Sequence, residues 1–271
     1  MGVRRALIVG YGHWGRVLAR NVCEHDAYEL AGIVDPDAQA RVDAKSDEHA
    51  AFVDLESAMR GTECDCVLIA APIPLQVPLA IEALAYGKSV LIAKPGARTI
   101  GQVRVLDAIA RDQGVSVVTD YTMLCAEPFN QMREAVAESG WLERVDTWRF
   151  ATGTRTTESI IDDMLVHDIA MCCALTVGEW RVASCHEFSD KALVVLTCGS
   201  TEAHLRANRA ASKPKRMIEV AYGDWNSYSW DQLEDADNDA VKRRLSEFVY
   251  APVGADLMMS RVAAILEACH A

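Results

Sequence analysis

Residues 4–35 read RRALIVGYGHWGRVLARNVCEHDAYELAGIVD: an apolar strand, the loop Gly10-x-Gly12-x-x-Gly15, an amphipathic helical stretch, a second apolar strand, and an acid at Asp35. Each glycine has its own task in such a loop. Gly10 permits the tight turn, Gly12 lets backbone approach a pyrophosphate, and Gly15 lets the helix pack closely on the strand. The free N–H groups and positive dipole end of the helix then suit a phosphate without any basic side chain. Asp35, twenty residues past Gly15, falls where a carboxylate can accept hydrogen bonds from both adenosine ribose hydroxyls. It would repel a 2′-phosphate, so NAD(H) is expected ahead of NADP(H). Three glycines alone could mark only a tight strand-to-helix connection; the strand, helix and distal acid in register point to nucleotide binding.

The chain around this stretch is that of an ordinary folded protein. Its 271 residues suffice for one large or two modest domains, and 51% are hydrophobic. The N-terminus lacks the basic-then-apolar pattern of a leader and no apolar run reaches the roughly 18 residues of a membrane span, so a cytoplasmic location is expected. The nine cysteines are scattered through apolar patterns (Cys64, Cys66, Cys172, Cys173, Cys198), as reduced core thiols are. Cys64-x-Cys66 has the wrong spacing for a zinc knuckle, and no metal site is expected. The net charge of −12 argues against nucleic acid and anionic membranes as partners. Acids concentrate in 231–239, which reads as a solvated loop. The compact basic patch 213–216 (KPKR) reads as a turn between strands, with a substrate phosphate as its other use.

Through residue 120 short apolar strands (5–10, 29–34, 65–70, 89–93, 115–119) alternate with helical stretches (14–25, 37–50, 54–60, 75–87, 99–113). That alternation specifies a parallel sheet covered on both faces. Gly87 and Gly114 stand where helix C-caps belong. Beyond 121 the rhythm changes: a helix near 126–139, a strand near 143–151, a Thr/Gly-rich loop, and a helix near 161–176. Strands at 180–188, 191–198, 201–210, 215–223 and 226–231 then form an antiparallel sheet, and a helix at 254–270 ends the chain. The expected domains are 1–120, binding dinucleotide, and 121–271, an α+β domain for substrate and oligomerisation. Trp225, Tyr228 and Trp230 are expected to cover the sheet's open face.

Ligands of doubly wound sheets sit outside the strands' carboxyl ends. Ala71 and Pro72 follow the fourth strand there, and Lys94 follows the fifth. A lysine in that place can hydrogen-bond a substrate hydroxyl or carbonyl oxygen, although a surface lysine at a loop start has the same pattern. Asp163 and His167 are four residues apart at the start of a helix and so share a face, where a carboxylate can orient an imidazole. Asp162 and Asp163 are also good N-cap and first-turn residues. Arg155, in the loop before that helix, could clamp an anionic substrate; a solvated loop arginine is the alternative.

Taken together, GYGHWG with Asp35, then VLIAAPIP…LAIEALAYGKSVLIAKP, then DMLVHDIAM resemble in order and spacing the Gfo/Idh/MocA oxidoreductases, over nearly the whole chain. The resemblance implies an N-terminal Rossmann doubly wound parallel sheet and a C-terminal α+β domain with an open, mainly antiparallel sheet, with substrate between them. It also implies a homo-oligomer formed through that sheet. The family's Glu-Lys-Pro lysine falls on Lys94, and its Asp-x-x-x-His pair on Asp163 and His167. Ala93 replaces the usual glutamate, Ala71 a common threonine, and Gln76 a frequent histidine. His13, Trp14 and Gln76 complete the expected cofactor contacts, and Tyr121 joins Lys94, Arg155, Asp163 and His167 at the substrate.

The expected function is NAD(H)-dependent hydride transfer at a secondary alcohol or ketone of a sugar, cyclitol or related polar metabolite. Lys94 or His167 would move the proton and Asp163 orient the histidine. Reduction of a C=N or C=C bond is the chemical alternative. A dinucleotide-binding regulator without chemistry is the alternative of another class, which fold alone does not exclude.

Overall fold

The computed structural model describes residues 2–153, 158–224, 226–234, 237 and 239–271. Its contacts divide the chain into two compact units: Met1–Ala97 with Gly101–Asp120 and Val241–Met259, and Arg98–Ile100 with Tyr121–Ala240 and Ser260–Ala271. One boundary falls at Asp120/Tyr121, and residues 241–259 return to the first unit.

The first unit alternates β1 (Arg4–Val9), α1 (His13–Cys23), β2 (Tyr28–Val34), α2 (Ala38–Ser46), β3 (Ala51–Phe52), α3 (Leu55–Gly61), β4 (Cys66–Ile69), α4 (Ile73–Ala85), β5 (Ser89–Ala93), α5 (Ile100–Gln113) and β6 (Ser116–Asp120). The sheet order is 3-2-1-4-5-6, every pair parallel. β1, β4 and β5 are almost wholly apolar and buried, as a sheet covered on both faces requires. The order reverses between β1 and β4, so the crevice for a ligand opens at their carboxyl ends. Two strands escaped the sequence reading, β3 and a seventh strand paired with β6 at Gly254–Ala255. Each has two residues, too few for a period to show. A helix at Ala240–Val249 also lay outside the expected pattern. Its Leu245 and Phe248 join Ile8, Leu18 and Tyr28 in the core, and Tyr28 Oη donates to Leu245 O at 2.9 Å.

In the second unit α6 (Glu127–Ser139), β7 (Leu142–Thr152), a π-helical turn (Ile161–Leu165) and α7 (Val166–Leu175) precede β8 (Arg181–Glu187), β9 (Lys191–Cys198), β10 (Thr201–Asn208), β11 (Ala210–Tyr222) and β12 (Asn226–Asp231). The order is 12-11-7-10-9-8. Only β7 and β10 run parallel; the other pairs are antiparallel. Along β7 the buried positions Val145, Thr147 and Arg149 alternate with more exposed ones, and this face meets α7. The aromatic expectation is overturned. Trp230 is 2% exposed, Tyr228 Oη donates to Gln131 of α6 at 3.2 Å, and Trp225 lies outside the described residues. The opposite face instead carries Trp148, with Arg206 and Lys215 over its ring at 5.2 and 4.1 Å. Residues 213–216 likewise form no turn: they lie within β11.

Candidate functional site

The three glycines of the first loop are distinguished by what a methyl group would meet. At Gly10, where φ is +95°, it would lie 2.7 Å from the Ala70 carbonyl oxygen; at Gly15 it would lie 1.9 Å from that of Gly10. Gly10 therefore permits β1 and β4 to come together, and Gly15 permits α1 to pack on the strand end. At Gly12 a methyl would have nothing within 4 Å. That position is exposed, no side chain caps α1, and the first turn holds no acid. The uncapped N–H groups and the space before them fit a pyrophosphate.

Asp35 is built into the same loop. Its Oδ2 accepts from Tyr11 N at 2.7 Å and its Oδ1 from Asp37 N at 2.8 Å. A carboxylate offers about four lone-pair positions, so two such bonds fix its plane and leave room for a ribose hydroxyl pair. Of the other expected contacts, His13 is exposed, and Trp14 is tied inward by its Nε1, which donates to Asp120 at 3.2 Å. Ala71 and Pro72 form the turn from β4 into α4, beside the Ala70 carbonyl that Gly10 meets.

Gln76 is 2% exposed, its Nε2 donates to both Ala71 O and Lys94 O at 3.1 Å, and its Oε1 accepts from Gly96 N at 3.1 Å. It is a buried tie between the turns after β4 and β5. Lys94 itself is half-buried at the end of β5 and is joined to Pro95 by a cis peptide bond. Gly96 completes the turn with φ +69°, where a methyl would stand 2.4 Å from Thr119 Oγ1.

In the second unit Asp163 and His167 are the accessible positions of an otherwise buried stretch. From 161 to 173 every residue is buried except these two, and their spacing puts them on one face. Asp162 and Asp163 lie in the first turn. Ser159 Oγ accepts from Ile161 N at 3.1 Å, and Glu187 accepts from Ile160 N. Asp162, 1% exposed, points inward, where Arg98 Nη1 lies 3.2 Å from its Oδ2 and His270 Nε2 2.9 Å from its Oδ1. Asp168, also 1% exposed, receives Arg149 Nε and Nη2 at 2.9 Å each. Burial pushes the Asp168 carboxyl up, opposed by the guanidinium beside it.

These supporting groups escaped the sequence reading. One signal was present: in the alternation of β7 an arginine occupies the buried parity, and a buried cation demands a carboxylate. Of the remaining expected substrate contacts, Tyr121 is 1% exposed and Arg155 lies outside the described residues.

Residues 4–121 match the model of the Gfo/Idh/MocA oxidoreductase family, NAD-binding Rossmann fold. The match covers 118 of the 271 residues. The NAD-binding character of that family agrees with the glycine loop and Asp35 as described. An uncharacterized oxidoreductase of Streptococcus pneumoniae serotype 4 (strain ATCC BAA-334 / TIGR4) is 30% identical over 118 residues, 43% of this chain and 31% of the relative. The matched stretch thus spans about a third of that curated relative's length. Beyond residue 121 the likeness is one of fold. The crystal structure of GenD2 from gentamicin A biosynthesis, in complex with NAD, superimposes with a TM-score of 0.89 at 18% identity, covering 100% of this chain and 94% of that one. UDP-N-acetylglucosamine 3-dehydrogenase GnnA from Acidithiobacillus ferrooxidans gives 0.85 at 22%, covering 99% and 100%. Among the described residues no helix is long and apolar enough to cross a membrane.

Proposed function

We propose that the chain is an NAD(H)-dependent oxidoreductase acting at a secondary alcohol or carbonyl carbon of a sugar, cyclitol or related polar metabolite. The observation that carries this reading is the paired exposure of Asp163 and His167 in a stretch otherwise buried, in a chain whose first domain is built for NAD. A helix that needed only to pack would have no use for an acid and an imidazole on one accessible face. The dehydrogenase named in GnnA supports the sugar class.

Bound NAD(H) supplies or accepts the hydride. His167 moves the proton of the substrate hydroxyl at an imidazole nitrogen, and Asp163 orients that ring. Lys94 donates a hydrogen bond to the substrate oxygen, on a backbone that Gln76 holds from beneath. Partial burial of all three strengthens their interaction with a bound polar group relative to water.

The test is hydride transfer with a panel of keto-sugars and cyclitols, followed by nicotinamide absorbance. Lys94→Ala and His167→Ala are each expected to lower turnover by about 10²–10⁴ while NADH affinity stays within about twofold. Unchanged turnover in both variants would remove the catalytic assignment. Tight NADH binding with no turnover on any panel member would favour a dinucleotide-binding regulator.

A further inference from the structure

The inward face of the second sheet holds a row of polar groups that the proposed chemistry does not use. Arg149 of β7 stands opposite Arg216 of β11 in the ladder, and Gln232, just past β12, donates its N–H to Arg216 O at 2.7 Å. The row therefore crosses three neighbouring strands. Arg216 shares its parity with the buried Ile218 and Val220, so its side chain rises on the face that carries Arg149.

The three residues are satisfied very unequally. Arg149, 7% exposed, is bidentate on Asp168 and also donates from Nη2 to Gln232 Oε1 at 3.3 Å. A guanidinium only donates, so this bond fixes which end of the Gln232 amide faces it. Gln232 Nε2 must then point away, and this buried atom has no hydrogen-bond partner among the described residues. Gln232 as a whole is 8% exposed. An unsatisfied buried donor costs about 1–3 kcal/mol, an arrangement usually kept for a ligand or an ordered water. The Arg216 guanidinium reaches solvent, and no carboxylate among the described residues pairs with it. Its neighbourhood is positive instead: burial and the adjacent Arg149 push its pKa down. With Asp168 already matched by Arg149, the row carries one surplus positive charge in a chain of net charge −12.

We infer that Arg216 and Gln232 form an anion subsite that takes a carboxylate or phosphate group of the substrate. One oxygen would accept from the Arg216 fork and another from Gln232 Nε2, and the surplus charge would be neutralised. Asp168, which anchors the row through Arg149, directly follows His167 in the chain. The inference rests on the proposal that this unit holds the substrate, and it narrows the substrate to an anionic polar metabolite.

The experiment uses the full chain saturated with NADH, so that the glycine loop is filled, and titrates inorganic phosphate and, separately, acetate by calorimetry. Saturable binding of one or both is expected, with phosphate or acetate dominance naming the group. Arg216→Met should weaken it at least tenfold and Gln232→Leu about threefold. Arg216→Lys, which keeps the charge and loses the fork, should fall between wild type and Arg216→Met. Lys215→Met, on the opposite face over Trp148, should bind as wild type. Absence of saturable binding in wild type, or equal affinity in Arg216→Met and wild type, would overturn the inference. The titration needs no turnover, so it reports on the subsite whether or not hydride transfer is found. Conversely, turnover of neutral and anionic substrates with equal kcat/KM in wild type and Arg216→Met would remove the subsite and leave the oxidoreductase reading intact.

Discussion

The glycine loop and the start of α7 each carry candidate ligand contacts, but they are held in shape by opposite means. Between Gly10 and Gly15 the chain keeps its form by omitting side chains: two of the three glycines lie where any Cβ would strike backbone. Between Ser159 and Asp168 it keeps its form by burying charged side chains against one another. Asp162 takes Arg98 and His270, and Asp168 takes Arg149, over sequence separations of 64, 108 and 19 residues. The first device tolerates no added atom at Gly10 or Gly15. The second is long-range and tolerates no missing partner.

That difference predicts the largest effect at the second site. Arg149→Met leaves the Asp168 carboxylate buried and uncompensated, a loss expected to cost about 3–5 kcal/mol. Chemical denaturation would measure it, and Asp168→Leu added to Arg149→Met should restore most of the stability, since an apolar pair of similar volume replaces the ions. A double variant no more stable than the single one would mean that the charge pair is not what supports α7. Next in size is Gly15→Ala. Its methyl falls 1.9 Å from the Gly10 carbonyl oxygen, so α1 must move off the strand end, at about 1–3 kcal/mol or somewhat more. NADH affinity should fall with stability, because the same shift displaces the N–H groups that meet the phosphates.

The same contrast governs what could be read from the sequence. The doubly wound sheet was legible through its alternation and glycine spacing, which are properties of consecutive residues. So was the pairing of Asp163 with His167, a matter of helical period. The ties of Gln76 were not legible, because its three partners, Ala71, Lys94 and Gly96, come from two turns, and nothing in the strand end VLIAAPIP tells which way an amide at the next turn points. The strand at Gly254–Ala255 and the helix at Ala240–Val249 were missed for another reason. They complete a sheet and core begun more than a hundred residues earlier, as Tyr28 bonded to Leu245 illustrates, so no local period announces them. Asp162 and Asp163 do stand in the first turn, as their residue type suggests, while Ser159 and Glu187, which the local pattern did not single out, accept from the N–H groups of Ile161 and Ile160.

The smallest structural effect, and the sharpest test of the comparison, belongs to Gly12→Ala. Unlike Gly10, Gly12 has φ −72° and ψ −162°, a conformation open to any residue. A methyl there meets nothing within 4 Å. Folding stability should therefore stay within about 0.5 kcal/mol of wild type. Affinity should not: the methyl occupies the space through which backbone approaches the pyrophosphate, and NADH binding is expected to weaken at least tenfold, about 1.4 kcal/mol. Fluorescence titration of NADH beside a denaturation curve separates the two quantities in one preparation. Gly15→Ala should lose both together and Gly12→Ala only the second. If Gly12→Ala kept full NADH affinity, the open space before α1 would not be where the phosphates lie. If it lost stability as Gly15→Ala does, all three glycines would serve packing alone, and the loop would be held by its own contacts and not shaped for a ligand.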